Sequence, residues 1–150
     1  MKLADIEHRI LARYNGIKAK DAYAERSLFY NPQGRLPNGI YFVTIKNKDG
    51  KNDASGNLNR DNVFRVSFQL SPENYKNMFG KKPLRPAKGE TVNLGIDFKS
   101  LGTLMPHPIY AWMNFVCVNN PTLEYWESEI IPLLDDSYKL VQEKFLKRVK

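Results

Sequence analysis

A histidine held between two prolines is the residue of this chain whose setting most clearly suggests chemistry. His107 follows Pro106, precedes Pro108 and stands directly before the most apolar run of the sequence. A residue before proline is pushed out of the helical region toward extended backbone, so a stiff peptide should aim the imidazole. A histidine held in this way can transfer a proton or contact a ligand. The alternative, which is the more common arrangement, is a bend that feeds a core strand, with the imidazole bonded to a backbone carbonyl.

Metal-binding and catalytic motifs are scarce. The two histidines, His8 and His107, and the single cysteine, Cys117, do not have the number or spacing of zinc ligands. Cys117 lies in an apolar run, where a cysteine is normally a small buried hydrophobic residue with a raised thiol pKa. The sequence contains no P-loop, no G-x-G-x-x-G and no G-x-S-x-G motif. We therefore expect no cofactor and no metal, and a binding module rather than an enzyme.

Positive charge is concentrated in two short segments, residues 81–88 and 139–150, each with a net charge of +4. The chain has 23 Lys and Arg against 16 Asp and Glu, a net charge of +7. Residues 81–88, KKPLRPAK, contain four cations and no acid: Lys81, Lys82, Arg85 and Lys88. This excess favours nucleic acid or another acidic partner, although a solvated loop has the same composition.

The pattern of apolar residues predicts the elements that position these side chains. Strands are predicted at Ala19–Ala24, Arg26–Tyr30, Ile40–Lys46, Phe64–Leu70, Thr91–Ile96 and Tyr110–Val118. Helices are predicted at residues 2–14, from Pro72 to a stop at Gly80, from Asn120 to about Ile131, and after a break or kink at Pro132. Ser71 and Asn120, each followed by proline, are the predicted N-caps of the second and third helices. The polar segment Lys46–Asn62, with Asp49, Asp53, Arg60 and Asp61, is predicted to be a solvated and mobile loop.

One strand alternates cleanly between apolar and polar residues. In Phe64–Leu70 the aromatic and aliphatic side chains point one way, and Arg65, Ser67 and Gln69 point the other. This pattern is typical of a half-buried antiparallel strand with one face in water. Arg65 would then join the basic segment on an open face of the sheet.

The order of the elements predicts an α+β fold. With helices at both ends and strands between them, we expect an antiparallel sheet with the N- and C-terminal helices packed on one face. A length of 150 residues suits a single domain, residues 1–150. No apolar run approaches the ~20 residues of a membrane-spanning helix, and one cysteine suits a reducing compartment. We therefore expect a cytoplasmic protein that does not bind membranes.

Four stretches carry a family resemblance: SLFYNPQGRLPNGIYFVTIKNKDG, NVFRVSFQLSPENYKNMFG, LGTLMPHPIYAWMNFVCVNNP and LLDDSYKLV. They closely resemble a bacterial family of unknown function over about residues 2–148. More distantly, Tyr110-Ala111-Trp112 and the later run Ser137–Val141 look like the MmcQ/YjbR-like proteins. That likeness implies a frataxin-like α–β sandwich and DNA binding. In the MmcQ/YjbR-like proteins a basic run leads into the tryptophan strand, and here Met105–Pro108 stands in its place.

The leading functional hypothesis is a non-enzymatic binding or regulatory module. A nucleic acid or another acidic partner would meet Lys81, Lys82, Arg85 and Lys88, together with Arg65 on the sheet face. The alternative is a small-molecule-binding protein, or an unrecognised enzyme, with a pocket near His107.

That pocket would use Tyr110 and Trp112, which share one face of the predicted strand, with Asp97 and the long polar loop. A third hypothesis is a dimer formed through a strand edge or the last helix.

Overall fold

The structure, a computed structural model, describes residues 1–22 and 25–150. The α-helices are α1 (Leu3–Arg13), α2 (Pro72–Phe79), α3 (Leu123–Tyr125) and α4 (Ile131–Arg148). In the part of the chain that is described, no helix is long and apolar enough to cross a lipid bilayer. The part of the predicted strand Ala19–Ala24 that covers residues 23 and 24 lies outside the described residues.

Six strands form one antiparallel sheet. They are β1 (Ile17–Ala22), β2 (Glu25–Tyr30), β3 (Ile40–Lys46), β4 (Arg65–Gln69), β5 (Met105–Pro106) and β6 (Phe115–Asn119). Their order across the sheet is β1-β2-β3-β4-β6-β5, with every neighbouring pair antiparallel. The predicted α+β class is thereby confirmed.

The two terminal helices pack on one face of the sheet and bury its apolar side chains. Ile6 and Ile10 of α1 lie in the same buried cluster as Val66 and Phe68 of β4. Burying each such side chain removes apolar surface from water and contributes about 1.5–3 kcal/mol. On the face covered by the helices, the alternation of apolar and polar residues in β4 therefore predicts correctly which side chains are buried.

The opposite face of the sheet, called the second face below, carries polar side chains in cross-strand rows. The antiparallel register places Glu25, Lys46, Arg65 and Asn119 opposite one another on four successive strands. The next row contains Ser27, Thr44, Ser67 and Cys117. A cation from β3 and a cation from β4 therefore stand side by side, and they need negative charge close by.

The prediction that β4 turns a wet face to solvent is wrong for its first half. Arg65 is 3% exposed and Ser67 is 5% exposed. The second face is covered here by three chain segments, 50–53, 85–89 and 107–113. Val92, whose amide donates to the carbonyl of Pro108 at 2.8 Å, ties the segment after α2 to the segment around His107.

The predicted strand Tyr110–Val118 begins later than its composition indicated. Ala111–Met113 is a short 3₁₀-helix, and Asn114 follows it with left-handed backbone, φ 68°. Asparagine tolerates this conformation better than most residues. Tyr110 and Trp112 therefore lie on a turn that precedes β6, and they do not share one face of a strand. The predicted weak strand Thr91–Ile96 is also absent from the described structure, where that stretch is irregular.

The C-terminal helical region contains no break at Pro132. Thr122, not Asn120, caps its start by accepting from the amide of Tyr125 at 3.1 Å. A wide π-helical turn, Trp126–Ile130, joins α3 to α4. Proline lacks the amide that an α-helical bond requires, and this wider turn accommodates it. Ser71 and Gly80 do bound α2 as predicted.

Candidate functional site

A pocket of about 830 Å³ lies on the second face of the sheet. Its floor is formed by strand residues Thr44, Lys46, Arg65 and Ser67, with His107 beside them. Its walls are the turn Gly50–Asp53, the basic segment Arg85–Gly89 and the segment Ile109–Phe115. A pocket of this size is in the range that holds small-molecule ligands.

The deepest feature of the pocket floor is an ion pair between a strand and the long loop. The two terminal nitrogens of Arg65 donate to the two carboxylate oxygens of Asp53, Nη1 to Oδ1 at 3.0 Å and Nη2 to Oδ2. Lys46 Nζ adds a third hydrogen bond to Asp53 Oδ2 at 3.1 Å. Glu25 lies 3.8 Å from the same ammonium. Asp53 therefore contacts both central cations of the polar row, and together with Glu25 it balances their two positive charges.

Breaking this ion pair should cost considerable free energy of folding, because its charges are buried away from water. Burial alone would raise the pKa of the Asp53 carboxyl, but the hydrogen bond from Arg65 and the charges of Arg65 and Lys46 hold that pKa far below its ordinary value. Removing one partner of a buried pair leaves the other charge without compensation, which typically costs about 3–5 kcal/mol. The predicted solvated loop is wrong at this residue: Asp53 anchors the loop to the sheet.

His107 lies at the edge of the pocket floor, 3% exposed. Its Nδ1 accepts from the amides of Ile109 at 3.0 Å and Tyr110 at 3.2 Å, so it bonds backbone N–H groups and not the carbonyl that we expected. Burial, helped by the positive charge of Arg65, lowers the pKa of His107 to about 3. The ring is therefore neutral at physiological pH, and because Nδ1 is an acceptor its proton is on Nε2.

Aromatic side chains form a wall that adjoins the segment Arg85–Gly89. Trp112 is half-buried, and the guanidinium of Arg85 lies 4.9 Å from the centre of its ring, a cation–π contact. Tyr110, 45% exposed, packs its ring 5.1 Å from that of His107. The two bonds to His107 Nδ1 fix the start of this turn, and the turn presents both aromatic side chains to the pocket.

The far side of the pocket is closed by Tyr41 of β3. Its hydroxyl lies 2.9 Å from Ser27 Oγ and donates to Glu25 Oε2 at 3.4 Å. Its neighbour Phe42 turns to the helix side, where it meets Tyr14. Strict alternation from Lys46 and Thr44 would place Phe42, and not Tyr41, on the second face. An irregularity in the β2–β3 register, which pairs Phe29 with Tyr41 and Leu28 with Val43, exchanges the faces of these two residues.

The structure brings together six of the nine candidate residues. Those that line the pocket are His107, Tyr110, Trp112, Arg65, Arg85 and Lys88. The other three do not line it: Asp97 is exposed and accepts from the amide of Lys99, and Lys81 and Lys82 are exposed in the loop after α2.

Sequence reasoning missed two residues that lie beside Arg65, namely Lys46 on the neighbouring strand and Asp53 on the loop. Lys46 is the last residue of an evident strand, and strict alternation places its side chain on the same face as Thr44, so the sequence predicts its face. The sequence does not predict that Lys46 lies beside Arg65, because the long loop between β3 and β4 leaves the register of these strands undetermined. Asp53 was recognised only as one acid among several in that loop.

Cys117 is structural, as predicted. It is fully buried, and burial raises the pKa of its thiol to about 12. Its nearest polar partner is the carbonyl of Pro106, 4.0 Å from the sulfur.

The fold and pocket define a small α+β protein with a cationic, aromatic-walled pocket on one sheet face. The model of a family of unknown function, DUF6194, matches residues 1–150, and the chain belongs to this family. No curated protein and no solved structure matches the chain. The predicted membership of a family of unknown function is thus confirmed, whereas the more distant likeness to MmcQ/YjbR-like proteins is not.

Replacing Asp53 by Asn should destabilise the protein by about 3–5 kcal/mol near neutral pH, because Arg65 and Lys46 lose their counter-charge. The unfolded chain takes up the Asp53 proton near its ordinary pKa of about 3.9, while the folded protein resists protonation. The wild type therefore begins to lose this advantage as the pH falls below about 5, and the two proteins converge only near the strongly lowered pKa of folded Asp53.

Urea unfolding at several pH values measures the difference, with Asp49→Asn as the control. Asp49 accepts from the amide of Leu58 at 2.7 Å, a bond that an asparagine oxygen can also accept. Equal losses for the two variants would contradict the assignment.

His107→Asn should remove part of the acid sensitivity of the fold. The unfolded histidine takes up a proton near its ordinary pKa of about 6.5, and the folded one only near about 3, so stability falls as the pH drops between these values. Between pH 7 and 5 the loss is about 2 kcal/mol in the wild type, and Asn keeps an acceptor for the two amides. Urea unfolding at both pH values checks this; an unchanged pH slope in the variant would contradict it.

Proposed function

We propose that this protein is a non-enzymatic binding module that takes a small organic acid with a flat, apolar portion into the pocket on the second face. The observation that carries the proposal is the pairing, in one pocket, of excess positive charge with an aromatic wall. This is the small-molecule alternative drawn from His107, with its centre moved to the polar row of the sheet.

The charge of the pocket lining favours an anion. Five cations line it, Lys46, Lys51, Arg65, Arg85 and Lys88, against the two acids Glu25 and Asp53. At the floor Glu25 and Asp53 balance the charges of Lys46 and Arg65. The excess positive charge therefore lies on the exposed wall residues Lys51, Arg85 and Lys88.

The rest of the lining favours a flat group attached to that anion. Half-buried Trp112, whose ring Arg85 contacts, and Tyr110, 45% exposed, supply aromatic surface to the pocket. Offset stacking on an aromatic ring adds about 0.5–1.5 kcal/mol beyond area burial. The Nε2–H of neutral His107 and the hydroxyls of Ser67 and Thr44 are the polar groups that would orient the ligand.

A second candidate is a single-stranded nucleic acid bound along the basic segment. Its support is the row of exposed cations that begins with Lys81 and Lys82 and continues into the pocket at Arg85 and Lys88. Bases would stack on Tyr110 and Trp112, as in sequence-tolerant single-strand binding. The DNA binding implied by the MmcQ/YjbR-like resemblance, and the frataxin-like assignment itself, remain predictions beside it.

The small-acid proposal is tested by fluorescence titration with four probes: benzoate, phenyl phosphate, acetate and inorganic phosphate. The aromatic probes should change the emission of Trp112, while Trp126, buried in the helical layer, stays constant. Lys88→Ala should weaken binding roughly tenfold, about 1.4 kcal/mol. Lys82→Ala is the matched control, because Lys82 does not line the pocket and its loss should have little effect.

Two outcomes would contradict the proposal. One is the absence of any saturable change with benzoate or phenyl phosphate. The other is equal weakening by Lys82→Ala and Lys88→Ala, which would indicate a diffuse charge effect. Trp112→Phe, followed by thermal shift, separates a direct contact from a remote change in fluorescence.

The nucleic-acid candidate predicts a different result. Binding of a labelled single-stranded oligonucleotide should weaken with salt, with a slope of log K against log salt of about −0.7 for each phosphate neutralised. Lys82→Ala should then reduce the slope by about 0.7. No binding at low salt would exclude this candidate and leave the small-acid proposal standing.

A further inference from the structure

The ion pair on the pocket floor has the geometry of a carboxylate-binding site. Three donors, two from Arg65 and one from Lys46, converge on the two oxygens of one carboxylate. The paired terminal nitrogens of a guanidinium match the spacing of carboxylate oxygens. Here that carboxylate is supplied by the protein itself, from Asp53.

The Asp53 carboxylate is carried on a small turn. Gly50 and Asp53 exchange two backbone hydrogen bonds, Gly50 N to Asp53 O at 2.9 Å and the reverse at 3.2 Å. The rest of the loop is tied elsewhere, since Asp49 holds the amide of Leu58 and Arg60 holds the carbonyl of Lys99. The turn Gly50–Asp53 can therefore lift as a unit without unfolding the loop behind it.

The guanidinium of Arg65 is not fully satisfied by Asp53. Its Nε is buried and has no hydrogen-bond partner among residues 1–22 and 25–150. A buried N–H without an acceptor costs free energy, so Asp53 satisfies the two terminal nitrogens of Arg65 but not the whole guanidinium.

We propose that Lys46 and Arg65 form the carboxylate subsite of this pocket, that Asp53 occupies the subsite in the empty protein, and that the ligand's carboxylate replaces Asp53 and releases the turn Gly50–Asp53. This rests on the proposed function, because it requires a ligand in this pocket. It adds that the acid group is a carboxylate and that the protein holds an internal substitute for it.

The test is rescue of Asp53→Ala by formate. The substitution removes one carboxylate beside two buried cations, and formate is a carboxylate of matching size. We expect the melting temperature of the variant to fall by several degrees in chloride. It should rise saturably in formate at equal ionic strength. Wild type should gain less from formate than the variant does, because Asp53 competes for the same subsite. Asp49→Ala, which lacks a different loop carboxylate, should respond as wild type does.

The outcomes separate the alternatives. An Asp53→Ala variant that responds equally to formate and chloride overturns the proposal, and one that phosphate rescues as well as formate overturns the carboxylate assignment. If Asp53→Ala folds only in formate, the proposal is supported.

If it folds in neither buffer, the isosteric Asp53→Asn decides by limited trypsin digestion. Cleavage at Lys51, on the released turn, should then rise relative to cleavage at Lys81, and an unchanged ratio overturns the proposal. Formate rescue requires no larger ligand, so failure of the aromatic probes to bind wild type would be recognised separately.

Discussion

The architecture of the second face depends on the need to neutralise a buried arginine. Arg65 stands on a central strand, where the register places it between Lys46 and Asn119, and it is almost completely removed from water. A guanidinium at such a depth must find a carboxylate. Asp53 supplies it from the long loop, which fixes the course of that loop across the sheet. The pairing of Arg65 with Asp53 thus holds the polar loop against the sheet, where its turn Gly50–Asp53 forms one wall of the pocket.

The remaining walls follow from local backbone constraints. Pro106 and Pro108 stiffen the segment around His107, and the imidazole then accepts the next two free amides, those of Ile109 and Tyr110. This capped turn, completed by the left-handed Asn114, holds the two aromatic side chains over the second face. His107 is thus a positioning residue for the pocket wall and also a neutral donor at its edge. The bend drawn from its setting is present, with backbone amides in place of the expected carbonyl, and a ligand contact by His107 stays a prediction.

Sequence patterns predicted the helix side of the sheet well, because burial there follows local periodicity. The period-two alternation of β4 places Val66 and Phe68 in the core, and the serine and glycine signals bound α2. The second face could not be predicted in the same way. Whether Arg65 is wet depends on segments that approach from elsewhere in the chain, and local periodicity carries no information about them.

Composition misled where a turn is built from residues that favour strands. Residues 110–113 are apolar and aromatic, which favours a strand, yet 3₁₀ hydrogen bonds and one left-handed asparagine decide the outcome. The candidate residues were chosen by residue type, and residue type does not determine which of them lie together in the fold. Residue type identifies His107, Trp112 and Arg85 as capable of contacts, but only the fold brings them to one pocket and leaves Asp97 outside it.

Asp53 and Arg65 act as one unit, and the second face depends on their pairing. A double-mutant cycle with Asp53→Asn and Arg65→Met, measured by urea unfolding at neutral pH, tests it directly. If the ion pair organises the second face, the double variant should lose little more stability than the worse single variant. The coupling energy should then approach the loss of the milder single variant, about 3 kcal/mol. Losses that add to within about 0.5 kcal/mol would show that the two residues act independently and would contradict this view of the pocket.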